Sequence, residues 1–324
     1  MTTLQISAAG MAADLHPVAG LDVRHVYALT LEYDGTEFSG WQRQPGRRTV
    51  EGTLLEALTS VTGEAAPLTA AGRTDAGAHA HAQVVGCTLR RAWDPVRLRA
   101  ALNAHLPADV VVLDARLAPR GFHARFDAIA RTYRYVVAPR AERPAVARQH
   151  AWFVRGEVDE RAMRGAAAML VGTSDLRAFG RSPRAGGSTV RTIEAVEVRR
   201  LRVPGVTALE SLDAGGGAEA PGCVVVIDVT ADAFLYGMMR NLAAALVAVG
   251  TGSMTRDELA SMVATGRRPR PLATAPAHGL HQWRVRYHGG LAPRDNAAGQ
   301  SPPAPPPTRV RWTRSDTTTS ETAG

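Results

Sequence analysis

A chain of 324 residues, 45% of them apolar, has room for one large domain or two ordinary ones around a sizeable core. Its net charge is +8 and its pI about 10.4, a balance that suits a polyanionic partner. All 38 basic residues are arginine; this excludes Schiff-base and phosphate-loop lysine chemistry and leaves the bidentate phosphate recognition at which guanidinium groups excel. The abundance of Ala, Gly and Pro points to a GC-rich coding sequence, so charge by itself is a weak signal. Cys87 and Cys223 lie far apart without CxxC spacing and read as small buried strand residues, not as a disulfide or metal pair. The N-terminus lacks a basic, apolar leader, and the most apolar stretch, Leu242 to Val249, is too short to span a bilayer. A reducing, cytoplasmic setting without membrane contact is the expectation.

Residues 1–22 are weakly patterned and read as a disordered extension. Val23 to Glu32 alternates as a strand and ends at the Tyr33-Asp34-Gly35 turn. Thr49 can cap a helix whose apolar face is Val50, Leu54, Leu55, Leu58 and Val61, with Gly63 as its stop. Pro67 to Ala71 and His81 to Thr88 are short strands flanking a glycine-bounded loop. Asp94-Pro95 is an N-cap and first-turn proline for a helix to about Asn103. Strands follow at Asp109 to Asp114 and Phe126 to Val137; period-two alternation puts Arg131, Tyr133 and Tyr135 on one face of the latter.

A similar second round begins near residue 151. It has a helix from Asp159 to Leu170, an arginine-rich loop from Arg177 to Ser188 that is mobile by composition, and strands at Thr189 to Val203 and Cys223 to Ala231. A Gly-rich insert around Ala214 to Gly217 separates those two strands. Helices at Phe234 to Val249 and Arg256 to Ala264 and a last strand from His281 to Tyr287 complete it. These patterns predict an α+β chain of two similar α/β subdomains, 23–150 and 151–288, with largely antiparallel sheets. Residues 289–324 form a Pro-, Ser- and Thr-rich tail expected to be disordered.

The loop at the centre is Gly72-Arg73-Thr74-Asp75-Ala76-Gly77. Paired glycines suit a tight turn pressed against a ligand, and residues 73 and 75 share a side in an extended loop. Taken alone, these residues read more simply as a surface turn with a local ion pair. Arg240 lies in a helix that is apolar nearly all round. A buried guanidinium needs a partner, because an unpaired one costs several kcal/mol (order of magnitude). Asp75 is one candidate, which would keep that carboxylate ionised; a local carbonyl and Asp232 are others.

The loop and the following Ala78-His79 resemble the signature of the tRNA pseudouridine synthase A family. So, in order, do Glu32-Tyr33-Asp34-Gly35 with Gly40-Trp41-Gln42-Arg43-Gln44, Leu102-Asn103-Ala104, and Phe122-His123-Ala124-Arg125-Phe126. Arg131-Thr132-Tyr133-Arg134-Tyr135, Val190-Arg191-Thr192-Ile193 and Met238-Met239-Arg240-Asn241 continue the match, which covers Val23 to His288. The resemblance implies an RNA-binding cleft between the halves and isomerisation of uridine at positions 38, 39 and 40 of the tRNA anticodon stem-loop. It implies no cofactor, no metal and a homodimer. It makes Asp75 the essential residue, attacking C1′ or removing the 2′ proton. It makes Tyr133 the ring that stacks on the flipped uracil, and Arg73 the side chain that fills the space the base leaves. Arg240 and Leu280 join them as substrate-binding residues, and Arg125, Arg181 and Arg184 are candidates for the RNA backbone. Two departures stand out. Gly237 replaces a common histidine, and Gln282 replaces a leucine that helps wall the uracil pocket, so a more polar pocket is expected here. A rival reading takes His79-Ala-His81, with Cys87 or a distant histidine, as a metal hydrolase, though no third-ligand motif supports it. A second rival is a catalytically silent RNA-binding protein using the same basic cleft.

Overall fold

The computed structural model describes residues 24–145, 147–202 and 223–288. The expectations for the N-terminal extension, the Gly-rich insert and the C-terminal tail lie outside those residues. The first half contains β1 (His25–Tyr33), α1 (Val50–Thr62), β2 (Leu68–Ala70), β3 (His79–Leu89), α2 (Pro95–His105), β4 (Val110–Leu117) and β5 (Ala128–Arg140). The second contains β6 (Trp152–Arg155), α3 (Glu160–Ala167), β7 (Gly172–Asp175), β8 (Val190–Arg202), β9 (Cys223–Ala231), α4 (Met238–Gly250), α5 (Arg256–Thr265) and β10 (Leu280–Tyr287).

The α1 boundaries follow from local chemistry. The Thr49 side chain accepts the Gly52 N–H, and Gly63 ends the helix at φ 72°, a left-handed conformation that only glycine adopts without cost. Asp94 caps α2 through the Arg97 N–H, with Pro95 in the first turn. In α5, Thr255 and Glu258 form a reciprocal capping box. Helix α4 begins at Met238 and not at Phe234, where the apolar run begins. The segment before it is held out of the helix by an isolated bridge between Arg181 and Tyr236 and by Gly237 at φ 74°.

One sheet runs through both halves in the order β4-β1-β3-β10-β5-β9-β8-β7, with β2 paired to β3 and β6 to β5. Its pairings are antiparallel except β10 with β3 and β5 with β6. The chain is therefore α+β with a largely antiparallel sheet. Among the described residues two large cores flank the centre, and a smaller cluster gathers Val84, Val285 and Tyr287. In the first, Tyr27, Leu29 and Leu31 pack with Leu54 and Leu58 of α1 and Leu98 and Leu102 of α2. In the second, Tyr135, Ile227 and Val229 pack with Met163, Leu242, Leu246 and Met262. Each fully buried leucine there stabilises the fold by about 1.5–3 kcal/mol. Helix α4 is buried on nearly every side, and Arg240, in its first turn, reaches out to Asp75 in the loop before β3.

Candidate active site

The loop between β2 and β3 is fixed by the chain that follows β1. The Trp41 N–H donates to the Thr74 carbonyl at 3.1 Å, and the Gly77 N–H to the Phe38 carbonyl at 3.2 Å. Tyr33 and Thr74 join hydroxyls at 2.8 Å. The contact is too close for side chains: a methyl at Gly35 would lie 1.8 Å from the Ala78 oxygen, and one at Gly40 2.8 Å from that of Thr74. The separate sequence stretches 32–44 and 70–83 are thus one structural unit. Gly77 turns at φ 78°. Gly72 has a different reason, since a methyl there would meet the Tyr133 hydroxyl at 2.7 Å.

From beneath, the fully buried Gln83 donates to the Gly72 carbonyl at 2.7 Å, and the equally buried Gln282 donates to the side-chain Oε1 of Gln83 at 3.0 Å. Arg131 is buried too. It donates to the carbonyls of Ala71 (3.3 Å), Ala128 (2.9 Å) and Asp232 (2.7 Å), and to that of Arg125. Its charge is spread over backbone oxygens, which satisfies the donors without a carboxylate; burial lowers its pKa.

Asp75 is 19% exposed and Arg240 23%, and Arg240 Nη1 donates to Asp75 Oδ2 at 2.7 Å. Arg240 Nε donates to the Ala275 carbonyl at 2.6 Å. The guanidinium thus takes both a carboxylate and a carbonyl partner, while Asp232 serves the Thr192 and Ala233 N–H groups. Tyr133 sits beside the loop with its ring met edge-on by Phe234, centroids 4.6 Å apart. Burial pushes its phenol up to about 12, so it is neutral across the physiological range. A cavity of about 680 Å³ brings Asp75, Tyr133, Arg240, Leu280, Arg73, Arg125 and Arg181 together. Arg184 does not line it.

The mouth is basic. Burial and the nearby guanidinium groups of Arg73, Arg184 and Arg191 lower the Arg125 pKa. Arg73, Arg181 and Arg184 are exposed; Arg181 lies over the Tyr236 ring at 4.5 Å, and Phe126 and Tyr236 are exposed aromatics on the cavity wall.

Sequence reasoning missed Arg131, Gln83 and Phe234. A glutamine in an apolar strand, two residues past a histidine pair, was the available signal for Gln83. The expectation of a polar pocket from Gln282 is corrected: its amide turns inward to Gln83 and Leu280 forms the wall. Gly237, the other departure, serves as the left-handed N-cap of α4. Among the described residues the donor set of the metal-hydrolase reading does not form one group: His79 lies with Asp34 and His150, without His81 or Cys87. His81 Nε2 lies 3.2 Å from His281 Nδ1, and the Cys87 thiol is buried and pushed up to about 12.

The chain belongs to the tRNA pseudouridine synthase family, whose model matches residues 30–127 and 166–288. The relatives it resembles narrow this further, each being a tRNA pseudouridine synthase A. The protein of Agrobacterium fabrum is 36% identical over 83% of this chain and 94% of its own length. That of Methylobacterium radiotolerans is 38% identical over 82% and 98%, and that of Syntrophotalea carbinolica 37% over 85% and 99%. Among the described residues no helix is long and apolar enough to cross a membrane.

Proposed function

We propose that this chain isomerises uridine to pseudouridine at positions 38, 39 and 40 of the tRNA anticodon stem-loop, with Asp75 as the essential residue. The observation that carries it is the Asp75 carboxylate, presented at the cavity on a clamped loop and paired to Arg240 through one oxygen only. Oδ1 remains for the substrate. It either attacks C1′ or accepts the 2′ proton; both routes release the base from the sugar so that it can turn and rejoin through C5. Both need the ionised carboxylate, whose other oxygen accepts from Arg240 Nη1.

A base inside a helix cannot reach Asp75, so the uridine is extruded at a cost of a few kcal/mol (order of magnitude). Tyr133, fixed by Phe234 and neutral, offers a stacking surface that recovers part of this, and Leu280 adds an apolar wall. Arg73 occupies the space left behind. Arg125, Arg181 and Arg184 hold phosphates, which positions RNA without reading its sequence; one enzyme can then serve adjacent uridines in unrelated sequences. The halves 23–150 and 151–288 act as two subdomains flanking the cleft. A cytoplasmic homodimer would supply the breadth of surface that recognition of a whole tRNA needs, with no cofactor or metal in the reaction.

The test is tritium release from 5-tritiated uridine in tRNA, which only chemistry at C5 produces. Carbodiimide sequencing of tRNA from a deletion strain is expected to show pseudouridine missing from the anticodon arm alone. Loss confined to the T-loop or to ribosomal RNA would refute the assignment, and binding without tritium release would favour a silent RNA-binding protein.

A further inference from the structure

Outside the cavity, three side chains from distant parts of the chain meet: Asp34 after β1, His79 at the start of β3, and His150 before β6. Their donor atoms all lie within 4.8 Å of one another. His79 is buried, its side chain 3% exposed, whereas Asp34 and His150 are 42% and 49% exposed, so the group is walled on one side and open to solvent on the other.

The hydrogen bonds fix the tautomer of His79. Its Nε2 lies 2.8 Å from the Gln149 carbonyl oxygen and 3.2 Å from that of His278. Both can only accept, so Nε2 carries the proton. Nδ1 accepts the Gly35 N–H at 3.1 Å, so it presents a lone pair. That lone pair also faces Asp34 Oδ1, at 3.1 Å. Nδ1 is met by the Gly35 N–H, and Asp34 Oδ1 accepts from the Thr36 N–H at 3.0 Å and the Thr36 hydroxyl at 2.6 Å, but no proton lies between the two acceptors themselves. A shared cation would resolve this: ligand atoms about 2.0–2.2 Å from one tetrahedral metal lie roughly 3.3–3.6 Å apart, so the pair needs to open by only a few tenths of an ångström. A histidine ligand whose other nitrogen donates to a backbone carbonyl is the usual supporting arrangement of metal sites. His150 Nε2, 3.5 Å from Asp34 Oδ2, supplies a third ligand on a half-exposed ring that is free to adjust.

We propose that Asp34, His79 and His150 bind a divalent transition-metal ion of the zinc type, with solvent in the fourth position. Two imidazoles and one carboxylate favour such an ion over calcium or magnesium. It would exchange the Gly35 N–H for a metal bond at Nδ1. The ion would staple the chain after β1, the strand that leaves the Asp75 loop, and the segment entering the second half. None of the three residues lines the cavity, so the role is structural and separate from the reaction.

The experiment uses the full chain, stripped with EDTA, dialysed, and titrated with zinc chloride by calorimetry, with melting curves taken in parallel. One zinc per chain and a higher Tm with zinc are expected, since the ion binds the native state. His150→Ala and Asp34→Asn should each weaken zinc binding by at least about tenfold. His150→Ala keeps the backbone carbonyl that His281 uses, and its Tm without zinc should match that of the unsubstituted chain, which separates lost binding from lost folding. His81→Ala should bind zinc normally. The proposal is overturned by no stoichiometric binding, by equal binding in both His150→Ala and Asp34→Asn, or by loss in His81→Ala, which would place the ion on the His81–His281 pair. If instead a second proton on His79 bridges it to Asp34, zinc fails to bind and the three residues are an ion-pair network only.

Discussion

The floor of the cavity and its mouth are built on opposite terms. At the floor, the loop carrying Asp75 is held from every side: Trp41 and Phe38 through backbone, Tyr33 through Thr74, Gln83 through Gly72 and Arg240 through the carboxylate itself. At the mouth, Arg73 and Arg184 make no side-chain hydrogen bond or ion pair among the described residues, and they crowd Arg125 with like charge. The floor is organised before substrate arrives, which suits groups that must meet a reacting atom in one geometry. The mouth is left electrostatically unsatisfied, and under the proposed function RNA phosphate would supply the missing counter-charge. Rigidity and charge are thus assigned to different places.

Substitutions at the floor should therefore cost turnover, and substitutions at the mouth should cost capture. The largest effect is expected for Asp75→Asn, with turnover reduced by at least about 10³-fold and tRNA affinity by filter binding within a few-fold. Arg240→Met comes next. It leaves a partly buried carboxylate without its counter-charge, and single-turnover rates should fall by about 10²-fold with circular dichroism unchanged. Gln83→Leu strands the Gly72 carbonyl and the Gln282 amide. We expect a stability loss of about 1–3 kcal/mol and a lower kcat at unchanged KM; an effect on KM alone would mean that the loop needs no support from below.

At the mouth, Arg73→Ala should lower turnover on whole tRNA several-fold more than affinity, because under the proposed function Arg73 acts only once the base has left the stack. Equal losses would make it an ordinary phosphate contact. The smallest effect is expected for Arg184→Gln, read as a shallower salt dependence of tRNA binding, by about 0.7–0.9 in the log–log slope, at unchanged kcat. Salt dependence that stayed the same would remove Arg184 from the RNA path.

What the sequence revealed was mostly local. Thr49 and Gly63 bound α1 because a cap and a left-handed stop are written in the residues themselves. The Arg240–Asp75 pair was legible because an arginine in an apolar helix needs a partner, which narrows the choice even across 165 residues. Nonlocal order was not legible. β6 and β7 are four residues each, too short for a period to show, and Gly-Thr-Ser-Asp of β7 is a strand only because β8 lies beside it. The start of α4 was misread because apolarity continues through Phe234 and Leu235, while their conformation is set by Arg181 from another loop. Gln282 was assigned to the pocket wall because its partner, Gln83, is 199 positions away.

The placement of β10 has a consequence for how the protein is made. This last described strand lies in the middle of the sheet, parallel to β3 and antiparallel to β5. Until it leaves the ribosome, the β4-β1-β3 and β5-β9-β8-β7 groups have no strand to join them, and each exposes an open edge to neighbouring chains. Leu280, on the cavity wall, and Gln282, under the Asp75 loop, arrive on that same strand. Synthesis therefore delivers the seam of the sheet and the last wall of the cavity together, and a nascent chain that stops short of residue 280 has neither.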